Sequence, residues 1–457
     1  MADHLSKDPK LAGPSELFER AETYYLGEKV QQDLGEALKF WRLAADKGHL
    51  VAQSRLAQAY RDGLGLEVDL EKSFDWLIKA FLSGHNDSNI QLGQLFFQGP
   101  KVEKELERCL IKWRLAAEQG EAQAQYNLGR SYYFQVGVDK DQAQGVKYFR
   151  LAADQGHPMA QFFLSEALQN GLGAQKDLAE AFKICNLAAD QGLAEGRLIL
   201  GQLYFYGDGV EKDLAKTVKL WRQAAEQDLA TAQLNLGTFY SFTPGMKKDP
   251  FKTLKYWRLA ADRAQPIALF NLGVAFHDGH MVEKKIDKAL RYWRLAADQG
   301  NLDAQFNLGT LYHSGHGLKK DQAMALKYWH LAADHGLVEA QVYLGQIYST
   351  GHGVEKDLAR GLIYWRLAAD KGDSRAQFYI GQAYMLGQVL DHNPDQAIKY
   401  WFMAAEAGNP LGQYHIGVSY LKGIVLEQDL KLAFKYISLA AQRNYPPALE
   451  LLKKWPG

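Results

Sequence analysis

Apolar residues return along this chain with two nested periods. Over residues 302–314, Ala304, Leu308, Leu311 and Tyr312 fall at i, i+4, i+7 and i+8, which is one face of a helix. In the next segment Leu326, Trp329, Ala332 and Ala333 mark a second apolar face, and Gly336 stops it. The pair then recurs as a unit. Trp257, Trp293, Trp329, Trp365 and Trp401 are each 36 residues apart. Upstream the same column reads Trp41, Leu77, Trp113, Phe149, Cys185 and Trp221, and downstream it ends at Ile437, with no insertion or deletion. A fixed period of this size marks stacked supersecondary units. The pattern predicts an all-α, α/α solenoid of twelve helix-turn-helix repeats over residues 15–444. Residues 1–14 form a loose lead-in closing at Gly13-Pro14, and 445–457 a capping half-repeat, in which Ala448, Leu449 and Leu452 restart a helix that Lys453-Lys454 turn polar.

Punctuation residues fix the helix ends. Gly315 and Gly317 supply the left-handed backbone that ends the first helix, and Asp321 is placed to cap the second. Asp33 with Glu36 has the spacing of a capping box. The alanine pairs, such as Ala296-Ala297, are expected to let helices approach closely. So is Gly309 with its equivalents Gly273, Gly345 and Gly381, since a mid-helix glycine costs about 1 kcal/mol in propensity and needs a packing reason. The tryptophan column reads as core. Asp228 and Ala264 depart from the pattern, standing where other repeats have the stop glycine, and Thr243-Pro-Gly-Met246 replaces the usual Gly-x-Gly-Val. An irregularity is therefore expected at repeats 7 and 8.

Composition narrows the function class. Lysine plus arginine equals aspartate plus glutamate at 53 each, so no bulk charge draws nucleic acid or an anionic membrane. No apolar run approaches a spanning length, and the polar N-terminus lacks the apolar core of a signal peptide, so no membrane insertion and a cytoplasmic location are expected. Cys109 and Cys185 fall in different columns and read as unpaired thiols of a reducing compartment.

The repeat stands as Ala304-Gln305, Leu308-Gly309, Tyr312, Gly315, Gly317, then Tyr328-Trp329, Ala332-Ala333 and Gly336. This pattern resembles the Sel1-like repeat family of the tetratricopeptide-like superfamily. The resemblance implies a right-handed α/α superhelix acting as an adaptor or scaffold for protein complexes. A cysteine-rich branch of that family carries a disulfide in each repeat; this chain lacks those cysteines.

Residues that recur at every period are explained by stacking, so partner-binding residues are sought where the repeats disagree. The column of Asn307 reads Glu19, Arg55, Gln91, Asn127, Phe163, Ile199, Asn235, Asn271, Asn307, Tyr343, Tyr379 and His415. First helices line the concave face in related superhelices, where asparagine ladders hold the backbone of an extended peptide. Each amide offers both donor and acceptor, so Asn127, Asn235, Asn271 and Asn307 are candidate ladder residues. Tyr343 and Tyr379 would add aromatic anchors. The competing reading is that these asparagines only bond neighbouring helices. His277/His280 and His313/His316 are i, i+3 pairs in consecutive repeats, but adjacent helices stack about 8–10 Å apart and no acidic or cysteine ligand joins them, so no metal is expected. Asp262, Asp298, Asp334 and Asp370 follow Arg258, Arg294, His330 and Arg366 by four and read as helix-surface pairs. There is no phosphate loop, nucleophile elbow or HExxH, so neither a cofactor nor enzyme activity is expected. The reading is a non-enzymatic scaffold binding a protein or extended peptide. The alternatives are an RNA-binding helical repeat, for which no basic column exists on the first helices, and, more remotely, a hydrolase on a repeat scaffold.

Overall fold

The computed structural model describes residues 12–27, 30–84, 100–244 and 248–455. Among them are 24 helices and no strand. Apart from the third, whose first half lies outside the described residues, each repeat is a first helix A followed by a second helix B, most of them 13 residues long, such as Leu302–Ser314 and Gln322–Asp334. A short further helix, Pro446–Lys453, follows the twelfth repeat. The chain divides into two compact units, Met1–Gln299 and Gly300–Gly457.

The turn chemistry acts as expected, with one refinement. Gly315 takes φ 68° and its N–H donates to the Leu311 carbonyl, closing helix A. Asp321 accepts the Met324 N–H at 3.0 Å and caps helix B, while its own N–H donates to the Tyr312 carbonyl at 3.0 Å. That second bond pins each A–B turn. It also explains why Asp33 and Glu36 form only half a capping box: the Asp33 N–H is taken by the Tyr24 carbonyl, and the Glu36 carboxylate turns to Lys39 instead.

The core is the predicted column. Trp257, Trp293, Trp329 and Trp401 are at most 4% exposed. Each indole lies flat against the glycine of its own helix A. A Cβ added to Gly309 would stand 2.4 Å from Cδ1 of Trp329, and one on Gly273 2.3 Å from Cδ1 of Trp293. Helix A is bare where the ring rests, which is the packing reason the mid-helix glycine needed.

The glutamine of the Ala-Gln pair completes the frame. Gln341 is buried and its Nε2 donates to the Ala333 carbonyl at 3.0 Å; Gln53, Gln161, Gln233 and Gln413 do the same for Ala45, Ala153, Ala225 and Ala405. Carbonyls at a helix C-terminus have no partner within the helix; Ala333 already accepts the Gly336 N–H of the turn at 2.9 Å, and the next helix A supplies a second donor.

In the first unit, contacts also join repeats far apart in sequence. Helix Leu70–Gly84 packs against Ala230–Phe242. The Leu50 N–H donates to the Arg263 carbonyl at 3.2 Å, and the Ser15 hydroxyl to the Asp262 carbonyl at 2.6 Å. The two residues that broke the repeat pattern lie at this junction. Asp228 and Ala264 adopt φ 65° and 59°, so they hold the left-handed turn without glycine. Asp228 forms an ion pair with the buried Arg263. Of the loop Thr243–Met246, Gly245 and Met246 lie outside the described residues.

Candidate functional site

The candidate column has different surroundings in different repeats. In the first unit, Asn127 differs from the expectation of a partner-facing amide. It is 1% exposed, its Nδ2 donates to Glu71 Oε1 at 2.9 Å, and its Oδ1 accepts from Arg130 Nη2 at 2.7 Å. Arg130, fully buried, is ion-paired with Asp75 and stands 4.6 Å over the Tyr126 ring. Glu71 and Asp75 belong to helix Leu70–Gly84, so the chain's own second repeat occupies this stretch of the helix-A face. Phe163 and Ile199, the next two members, are also buried. Burial pushes the Glu166 carboxyl on the same face up to about 7, and raises that of Glu195 as well. Gln91 lies outside the described residues.

The remaining asparagines are open. Asn235, Asn271 and Asn307 are half-buried, and none of the three amides has a hydrogen-bond partner among the described residues. Bonding between helices therefore does not account for them. In the second unit Tyr343 packs edge-on against Trp329, ring centroids 4.6 Å apart, and Tyr379 stacks on Trp365 at 4.8 Å. One side of each tyrosine is thus seated on the core tryptophan while the residue stays half-exposed. Desolvation raises the Tyr343 phenol above its ordinary value, so it remains a neutral donor. His415 repeats the seat on Trp401 at 4.7 Å.

The arginine column divides its interactions. His330 lies in the field of Asp334 four residues on, as Arg150 does with Asp154, and the column also reaches the next repeat: Arg42 donates to the Tyr60 hydroxyl, and His330 bridges Tyr364 at 2.8 Å and Tyr348 at 2.9 Å. In several repeats tyrosines at these positions stack in pairs, such as Tyr132 on Tyr148 and Tyr348 on Tyr364 at 6.1 Å and 7°, which holds phenol oxygens within reach of the column. The late histidines also have other partners. His277 faces Asp278 at 2.7 Å and His313 faces Gln322 at 2.8 Å. Among the described residues no three His, Cys, Asp or Glu side chains converge as a metal would require. Cys185 is fully buried, and burial pushes its thiol up to about 12, which makes it a packing residue rather than a nucleophile. No described helix is long and apolar enough to cross a membrane.

Sequence reasoning missed the exposed leucine of Trp-Arg-Leu-Ala-Ala. Leu115, Leu187, Leu295 and Leu367 are 58%, 52%, 44% and 44% exposed, forming an outward column beside the buried tryptophans. Its position, two after each member of the tryptophan column, Cys185 included, was the available signal.

With this geometry, comparison with known proteins is informative. Twelve consecutive segments match the Sel1 repeat, from residues 17–49 and 50–85 through 374–409 and 410–445. The chain belongs to the Sel1 repeat family. A Sel1 repeat protein from Oxalobacter formigenes is 31% identical over 70% of this chain and 93% of its own, with a TM-score of 0.55. A protective antigen present in uropathogenic Escherichia coli strains, displaying an SLR fold, is 29% identical over 97% of this chain and 88% of its own, with a TM-score of 0.57. No curated protein matches the chain. Sel1 repeat proteins are in general protein-interaction scaffolds and typically non-catalytic.

Proposed function

We propose that this Sel1 repeat protein is a non-catalytic scaffold whose helix-A column binds an extended segment of a protein partner. The observation that carries the reading is the set of unpartnered, half-buried amides at Asn235, Asn271 and Asn307. The three amides reach solvent and are free to exchange water for a partner, and a peptide backbone offers such an amide both a donor and an acceptor. In the second unit Tyr343 and Tyr379 supply rigid aromatic anchors beside Asn307, because their seats on Trp329 and Trp365 fix the rings before binding. In the first unit Asn235 and Asn271 serve in the same way, while Asn127 is held by Glu71 and takes no part.

The test is selection of binders from a displayed random-peptide library with the full chain, followed by titration of the winning peptide. Asn307→Ala with Tyr343→Ala should weaken it by about tenfold or more, the loss of one or two interface anchors. The same variant with unchanged affinity and an unchanged melting curve would remove the helix-A column from the interface.

A further inference from the structure

The first unit contains a second surface that the helix-A column does not use. A cleft of about 900 Å³ opens between the N-terminal repeat and the B helices of repeats 7 and 8. One wall carries Phe18 and Glu19, with His49 and Val51 at the start of the second repeat. The other is formed by Pro250–Asp262 and Ile286–Asp298. These two helices turn four cations into the cleft: Lys255 and Arg258 from one, Lys288 and Arg291 from the other. All four are exposed, and none makes an ion pair among the described residues. Lys255 and Lys288 are placed only over aromatic faces, 5.6 Å from Tyr256 and 5.2 Å from Phe276.

The cations are ordered along each helix. Lys255, Arg258 and Leu259 fall at i, i+3 and i+4, and Lys288, Arg291 and Leu295 at i, i+3 and i+7, so each helix presents a basic end followed by an exposed leucine. Two carboxylates share the cleft. Asp262 is engaged by Ser15 and lies in the field of Lys47, and Glu19 stands on the opposite wall. The surplus is positive, and it lies next to apolar surface.

We propose that this cleft is a docking site for an acidic peptide segment that carries apolar side chains beside its carboxylates. Charge complementarity selects the occupant: four cations without an ion pair, outnumbering the two carboxylates of the cleft, are placed to meet carboxylates, and the paired leucines take the apolar part. Cations recur in this column, as at Lys219, Lys327 and Lys399; what sets Lys255 and Arg291 apart is the wall of the N-terminal repeat facing them, which makes a cleft of the surface.

The probe is a fluorescein-labelled peptide in which a run of glutamates precedes a pair of leucines, titrated against the full chain by fluorescence anisotropy. Saturable binding is expected, weakening by about tenfold or more in Arg258→Glu/Arg291→Glu and weakening on added salt. A peptide with glutamine for glutamate should lose affinity similarly. Lys399→Glu/Lys435→Glu, the same column in the other unit, should leave binding unchanged. Because all the altered side chains are exposed, an unchanged melting curve is expected throughout. The proposal is overturned if the Arg258/Arg291 reversal leaves the affinity unchanged. It is overturned equally if the control reversal weakens binding as much, or if a single-stranded oligonucleotide displaces the peptide and binds more tightly, which would assign the cations to phosphates. Leu259→Ser/Leu295→Ser separates the two parts of the site: affinity lost about fivefold supports the proposal, and affinity retained overturns its apolar half.

Discussion

Replacing Gly309 with alanine sets two effects of known sign against each other. Gly309 has an ordinary helical backbone, so alanine gains about 1 kcal/mol in helix propensity. The new Cβ, however, would stand 2.4 Å from both Cδ1 and Nε1 of Trp329 and 2.8 Å from Cγ. Ordinary carbon contacts lie near 3.5–4.0 Å, so the ring must retreat by about 1 Å. It has little room, since Trp329 is fully buried and Tyr343 lies against it at 4.6 Å. Overpacking of this kind costs about 1–3 kcal/mol, and because the obstacle is a rigid indole the upper part of that range applies. A net loss of about 1–2 kcal/mol is expected. The chain itself contains the compensated pair. Ala57 occupies the glycine position where Leu77 replaces tryptophan, and Ser165 occupies it where Cys185 does. Trp329→Leu alone should destabilise, but Gly309→Ala added to it should be neutral or stabilising by up to about 1 kcal/mol. Repeat arrays need not unfold in one step, so the cycle is best read by hydrogen exchange of the amides in Leu302–Ser314 alongside the urea midpoint. Equal effects of Gly309→Ala in the two backgrounds would refute the contact as the reason for the glycine. Ala21 with Trp41 shows what the alternative looks like: there the indole donates to Glu22 Oε1 at 2.9 Å, whereas Trp221 donates to the backbone carbonyl of Leu198.

Two further predictions address the long-range junction of the first unit. Burial and the nearby Arg263 guanidinium lower His49 from 6.5 to about 4, so the fold favours its neutral form; stability is complete above pH 6.5 and falls as the pH drops toward 4, by at most about 3 kcal/mol. His49→Asn should keep the cap on the following helix, as Asn301 and Asn409 do, while flattening the dependence of the unfolding midpoint on pH; a profile identical to that of the parent would show that another group titrates. Asp228→Gly relieves a left-handed non-glycine residue, a gain of about 1 kcal/mol, but leaves the buried Arg263 without its carboxylate. After discounting for the half-exposed Asp228, a net loss of about 1–2 kcal/mol is expected, and a rise in the urea midpoint would mean that backbone strain outweighs the pair.

Most of the fold could be read in the sequence because its determinants are local and repeated. Period, helix ends and the tryptophan column depend on residues within 36 positions of each other, and each of twelve repeats restates them. Gly309 against Trp329 spans 20 residues, and Gln341 to Ala333 only eight. The partner of Asn127 was not readable by the same logic. Glu71 lies 56 residues away in a repeat that is not its neighbour, and nothing periodic points to it. The arginine column was readable only in part: helix spacing brings the acid four residues on into its field, but the tyrosine hydroxyls brought up by the next helix A, which also engage it, leave no local signal.

The exceptions to the repeat therefore divide into two kinds that sequence alone does not separate. Some answer their immediate neighbour, as Ala57 answers Leu77. Others answer a distant part of the chain: Asp228 and Ala264 break their column where the first two repeats meet repeats 6 and 7. A column residue such as asparagine can belong to either kind. Asn127 is satisfied from within, by Glu71 and Arg130, whereas Asn235, Asn271 and Asn307 carry the same amide with no hydrogen-bond partner among the described residues. In a solenoid every position of a column inherits the same backbone geometry, so the unbonded members cannot be explained by packing that their bonded counterpart also experiences. What distinguishes Asn127 is the helix Leu70–Gly84 seated on it; the other three amides are open to solvent, and it is there that we place the proposed partner.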